Sequence, residues 1–179
     1  LKSTKNHHKW VRKNPNAAFQ GVLLNTLFTK DQLTRKISFD FFPVMKEMDS
    51  ICYANFVNVY DSLLTAIDAN NIISLQNACI KNDNYLLNNF DNGYLSSRIV
   101  GLIISHNLKR GKYLNETWER LYPFVEQAYK DGKISDILFH EYDFNLNKHY
   151  GYQYYGTLGN ETPIKDMETF DDRKKRLSL

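Results

Sequence analysis

Cysteine is almost missing from this chain: Cys52 and Cys79 are the only two among 179 residues. Both fall in apolar-periodic segments, where a free thiol behaves as a small hydrophobe. No Cys-x-x-Cys and no Cys/His metal spacing occurs, so neither a zinc site nor a disulfide framework is indicated. Two cysteines permit a bridge in an oxidising compartment without demanding one. Long apolar runs are missing too. The longest, over residues 99–104, is broken by Gly101 and falls far short of a membrane span. Also missing are the phosphate-cradling Gly-x-x-x-x-Gly-Lys-Ser/Thr loop, the dinucleotide Gly-x-Gly-x-x-Gly turn, the Gly-x-Ser-x-Gly elbow and the His-Glu-x-x-His zinc helix. Their absence removes the common nucleotide-binding, hydrolase and metalloprotease readings, and no cofactor is implied.

A strong charge of one sign is lacking as well. The net charge is +3 with an isoelectric point near 8.7, and much of the excess sits at the two ends. Lys2, Lys5, Lys9, Arg12 and Lys13 crowd the start; Arg173, Lys174, Lys175 and Arg176 crowd the finish. A nucleic-acid binder usually carries its basic face through the body of the domain, so the charge reads as solvated ends and argues against that partner. The chain begins at Leu1 rather than Met, which leaves room for a removed leader. The compartment therefore stays open between cytoplasmic and exported.

What is present is a single, mainly helical domain. Shares of 42% hydrophobic and 24% charged residues are those of an ordinary globular protein. A chain this long buries roughly 70% of its unfolded surface. Residues 1–13 read as a flexible basic arm and residues 14–179 as one helical domain. Asn14 and Pro15 predict a helix start, with Phe19, Val22, Leu23 and Phe28 as its apolar stripe. Residues 29–32 have the form of a capping box and predict a second helix from Lys30, interrupted or kinked at Pro43. Phe56, Tyr60, Leu63, Leu64 and Ile67 give one apolar face over residues 50–69. After a short Asn-rich break, Ile72, Leu75, Cys79 and Ile80 mark another helix; the Asn/Asp-rich stretch 81–93 is a loop.

Residues 94–105 form the most apolar helix, central to the expected core. An amphipathic helix over 115–130 is bent at Pro123 and closed by Gly132, and Ser135 caps a shorter one running to Tyr142. The tyrosine-rich stretch 152–165, with a turn at Gly159 and Asn160, predicts a small β-hairpin before a last helix over 167–176. The expected fold is mainly α: an irregular bundle of six to eight helices with a C-terminal β-hairpin.

Three places can carry chemistry. His140 and Asp143 lie three apart on a helix and share a face beside Glu141, a generic spacing that solvated charge explains as well as a metal does. His106 ends the most apolar helix, either capping its last carbonyls or standing at the rim of the core as a proton carrier. The segment Gln153, Tyr154, Tyr155, Gly156, Thr157 combines a glycine with polar neighbours, either a turn with aromatic ballast or a backbone bend brought close to a ligand.

That segment resembles the late Q-x-Y-G-T hallmark of a bacterial protein family with no established activity. Asp143 stands ten residues before Gln153, where that family tends to place an Asp, although Phe144 replaces its usual Arg and Leu158 its usual Gln. Residues 31–35 match an early D-Q-x-x-R motif. Asp68, Asn71 and Leu75 are similar to its D-x-x-N-x-x-x-L helix, and His106 to its Q-H helix end with Ser105 in place of Gln. Gly132 and Ile134 fit a G-x-I turn. Asp171, Arg173 and Lys174 with Leu179 fit a closing D-x-R-R…G-L, Ser178 replacing Gly. The resemblance runs from Asp31 to the end and implies that its polar positions converge. Under it, His106, Asp31 and Asp143 are the catalytic candidates. Gln32, Arg35, Gln153, Tyr155, Gly156, Thr157, Asp171 and Arg173 are the ligand-binding ones. The same positions can equally be a structural network.

Two functions follow. One is a pocket near the 153–157 turn that binds or acts on a small polar molecule or peptide; the other is a non-catalytic protein-interaction module. The first predicts that His106 lies beside the turn in an open cleft, the second an exposed apolar patch of several hundred Å².

Overall fold

The computed structural model describes residues 15–47, 49–81 and 93–177. The expected arm, the Asn14 cap, Ser178, Leu179 and nearly all of the 81–93 loop lie outside them. Six α-helices follow one another among the described residues: α1 (Pro15–Lys46), α2 (Ser50–Lys81), α3 (Gly93–Leu108), α4 (Leu114–Lys130), α5 (Ile137–Tyr150) and α6 (Phe170–Leu177). Single 3₁₀ turns precede α4 and α6 at Gly111–Tyr113 and Met167–Thr169. Among the described residues no helix is long and apolar enough to cross a membrane.

The apolar α3 is the axis of the fold, packing against α1, α2, α4 and α5. Ile103, Ile104 and Leu108 on it are fully buried with Leu75 and Cys79 of α2, Leu121 and Val125 of α4, and Phe139 and Leu146 of α5. Cys79 lies in this core whereas Cys52 is exposed, so the two thiols have different surroundings and no bridge joins them. The expectation that both sit on buried faces holds for one only. The α4 helix ends where Gly132 takes φ +65, and the Gly132 and Lys133 amides return to the Tyr129 and Ala128 carbonyls at 2.9 and 2.8 Å. These are the paired bonds of a Schellman close.

Four expected boundaries move. α1 runs unbroken through residues 29–32, where Gln32 donates to Asp31 Oδ2 at 2.7 Å instead of reaching back to cap a new helix, and it is not interrupted at Pro43 but continues to Lys46. α2 absorbs the Asn-rich break, because Asn71 is buried on the same face as Asp68 and Leu75. Ser135 is not the cap of α5; Asp136 occupies that position, and the helix continues to Tyr150.

The C-terminal β-hairpin does not form. No strand exists among the described residues, only one isolated bridge between Gln153 and Ile164, and it is parallel. A hairpin needs antiparallel partners and a row of free amides. Here the amides of Tyr154, Tyr155 and Thr157 all point at the Asp143 carboxylate. Pro163 has no amide to give.

Beyond the core, α1 and α2 continue as a helical hairpin. Between Thr34 and Tyr60 no described residue is buried. Phe42 holds this outer half together, its ring edge-on to Tyr53, Phe56 and Tyr60 at centroid distances of 6.2, 5.6 and 5.1 Å.

Candidate functional site

The candidate residues are gathered into two polar networks rather than one. The first ties α1, α2 and α3 together. Asp31, one turn before Arg35 on α1, is buried and lies 2.9 Å from His106 Nδ1 on α3. Arg35 donates from Nε to Asp31 at 3.1 Å and from its terminal nitrogen to Asp68 of α2 at 2.7 Å. Asp68, also buried, accepts on its other oxygen from Arg110 Nε at 2.7 Å. Arg110 reaches on to Asp61 at 3.0 Å and Thr65 Oγ1 at 2.7 Å. Three carboxylates therefore alternate with two guanidiniums across three helices. Burial alone pushes the Asp31 carboxyl up, but the hydrogen bond and charge of His106, then Arg35 and Gln32, outweigh it and hold it below the usual carboxylate range. Asp31 also fixes which imidazole nitrogen is engaged, since it is Nδ1 that lies against the carboxylate.

The second network organises residues 151–166. Asp143 is fully buried on α5 and accepts from the Tyr154 amide at 2.7 Å, the Tyr155 amide at 2.9 Å, the Thr157 amide at 3.0 Å and Thr157 Oγ1 at 2.8 Å. Gln153, equally buried, donates to the Gly159 and Thr162 carbonyls at 2.7 and 2.8 Å and accepts from the Leu158 amide at 2.8 Å. Arg173 of α6 clamps the loop from outside. It donates to the Tyr154, Asp166 and Lys165 carbonyls and lies over the Tyr154 ring at 3.9 Å. Gly156 adopts φ +76, and a Cβ there would stand 2.6 Å from the Phe170 ring. Tyr155 points inward, its hydroxyl accepting from Trp118 Nε1 at 3.0 Å within a cluster of Trp118, Phe139 and Tyr142 rings. Asp171 is exposed in the first turn of α6, where negative charge suits the helix dipole.

So Asp31, Gln32, Arg35 and His106 come together, as do Asp143, Gln153, Tyr155, Gly156, Thr157 and Arg173, and no hydrogen bond among the described residues joins His106 to the loop. A cleft of about 300 Å³ opens beside the turn, lined by Asp136, Ile137, His140, Gly156, Thr157 and Lys174 around the edge of Tyr155. His106 is not in its wall. The His140, Glu141, Asp143 trio diverges: His140 is exposed, Glu141 accepts from Ser105, and Asp143 faces the loop. Among the described residues no three His, Cys, Asp or Glu side chains are placed to share a metal. Asp68 and Arg110 were not among the candidate site residues; Arg110 lies two residues beyond the end of α3.

A further set of ion pairs secures α6: Glu126 of α4 accepts from Arg176 and, at 2.8 Å, from Lys130. The Arg176 hydrogen bonds, against the opposing push of burial, hold the Glu126 carboxyl at about 2. Because its folded pKa is depressed, its contribution is whole above the unfolded value near 4.5 and drains as pH falls toward about 2. Arg176 is 57% exposed, so solvent screening trims the contribution to roughly 1–2 kcal/mol. Melting temperatures of the wild type and Glu126→Gln should converge as pH falls from about 5 to about 2. A gap that stayed constant would count against this pair.

No protein-family model, no curated protein and no solved structure matches this chain.

Proposed function

We propose that this domain is a non-catalytic interaction module whose partner docks on the outer face of α1, with the polar networks serving as structural ties. One observation carries the reading. Phe19, Val22, Leu33, Phe41 and Val44 are 60, 67, 62, 54 and 59% exposed. At 100° per residue they share one sector of the helix about 100° wide. The opposite sector holds Leu24, Leu27, Asp31 and Phe42, which face the rest of the fold. α1 thus carries two apolar faces, and only one of them is covered. Five large side chains at roughly 100 Å² each expose about 500 Å² of apolar surface along this sector, in two groups separated by Thr26 and Lys30, at the size where such surfaces mark protein contacts. Supporting it, the charged and polar candidates already satisfy one another, leaving few groups in search of a ligand. We also place the chain with the Q-x-Y-G-T family on the order of its motifs; Asp143, Gln153 and Arg173, three of the shared positions, are the ties of the loop.

A second reading, a site for a small polar molecule or peptide at the turn, is favoured by the cleft beside it, where His140 and Lys174 face Gly156 and Thr157. A benzophenone photocrosslinker placed at Phe41, and separately at His140, separates the two in cells that make the chain naturally. Irradiation should yield a discrete protein adduct from position 41 and none from 140. Adducts from 140 alone would move the contact to the cleft and sink the α1 reading.

A further inference from the structure

We infer that the partner on α1 is a second copy of this chain, packed antiparallel along the same stripe; the inference rests on the interaction reading above and names its partner. The stripe spans residues 19–44, about 38 Å at 1.5 Å per residue. Along it lie Phe19, Val22, Thr26, Leu33, Ile37, Phe41 and Val44, spaced three, four, seven, four, four and three apart. A surface this long and narrow fits a rod with an equally long stripe, not a loop or a compact pocket. α1 itself is such a rod.

The order of side chains makes the fit self-complementary. Reversed about its midpoint, six of the seven stripe positions map onto one another. Phe19 falls opposite Val44 of the other copy, Val22 opposite Phe41, Thr26 opposite Ile37, and Leu33 opposite the stem of Lys30. Large therefore meets small at both ends, as interdigitation requires. Thr26 turns its hydroxyl back to the Val22 carbonyl at 2.8 Å, so its polar atom is already satisfied. The register also avoids like charges face to face. Lys30 meets Leu33 and Asp40 meets Leu23; each Lys30 lies about a turn from Lys30 and Lys36 of the other copy, so no like pair is directly opposed. A two-fold axis demands this reciprocity, residue i on j and j on i. At about 500 Å² per copy the pair would bury roughly 1,000 Å² in all, the lower bound for a specific interface.

Sedimentation velocity on the purified full chain tests this, with reductant present because Cys52 is exposed. Between about 1 and about 200 µM the mass should rise from 21.0 kDa toward twice that. Val22→Glu/Phe41→Glu and Val22→Lys/Phe41→Lys should each stay at the single-chain mass. Both positions are exposed, so the melting temperatures of the variants at low concentration should match that of the wild type. Mixed one to one, the acidic and basic variants should dimerise again, since position 22 faces position 41 across the axis. A wild type that stays single at every concentration overturns the inference, while the position-41 crosslinks still decide the broader reading. A Glu variant that remains dimeric moves the interface elsewhere. Variants that do not pair on mixing overturn the antiparallel register.

Discussion

Replacing Asp143 by alanine should cost about 4 kcal/mol, the largest loss expected from any position in the C-terminal third. The carboxylate is fully buried and is the acceptor for three backbone amides and one hydroxyl. Hydrogen bonds to a charged acceptor contribute roughly 1.5–3 kcal/mol each, and a buried amide left without a partner keeps its full desolvation penalty. Solvent can enter once the loop opens, so the amides are rescued only by unfolding residues 151–166, and the total is capped near the cost of that local opening. Asp143→Asn should lose most of the same stability, because its amide nitrogen would present hydrogens to amides that are already donors. Urea denaturation measures the loss, and hydrogen exchange at the Tyr154, Tyr155 and Thr157 amides locates it. If Asp143→Asn unfolded within 1 kcal/mol of wild type, the carboxylate would not be holding the loop, and a chemical role would regain its force.

Much of the fold was legible because α3, α4 and α5 are one-sided helices with strong punctuation. Trp118, Leu121 and Val125 recur on one face, and Gly132 stops the helix in a left-handed conformation that glycine adopts without strain. The failures are equally specific. Phe19 and Val22 read as the buried stripe of the first helix, yet Leu24 and Leu27 are the buried pair. Periodicity finds an apolar face, but α1 has two, and only tertiary packing selects which one turns inward. The capping box at residues 29–32 failed because Asp31 is drawn across to His106, 75 residues away, a long-range bond no local pattern announces. The β-hairpin failed for a related reason: Asp143 takes the amides that a ladder would have used.

The candidate site was legible as a list and not as a place. Asp31, Gln32, Arg35 and His106 are joined, and so are Asp143, Gln153, Gly156, Thr157 and Arg173, but as separate assemblies on different helices. Short motifs in sequence order carry no information on which of them share a wall, since that depends on helix rotation. Asp68 stood among the landmarks without being singled out, although a buried acid between two arginines is the hub of the first network.

That hub gives the second large effect. Asp68→Ala should destabilise the domain by roughly 3–5 kcal/mol, because one buried donor of Arg35 and one of Arg110 lose their acceptor, although Arg35 keeps Asp31 and Arg110 keeps Asp61 and Thr65. Asp61→Ala, in the same network but 69% exposed, should cost under about 0.5 kcal/mol. The contrast isolates burial, since both acids bond the same Arg110. A further comparison separates attraction from orphaning. If the pairs stabilised strongly on their own, removing Arg35 together with Asp68 would be worse than removing either. Taking two buried charges out of water offsets most of their mutual attraction, so Arg35→Met/Asp68→Leu should recover much of the loss seen in Asp68→Ala alone. A double variant less stable than Asp68→Ala would show that the chain of alternating charges is a net source of stability and not only a constraint on how α1, α2 and α3 meet.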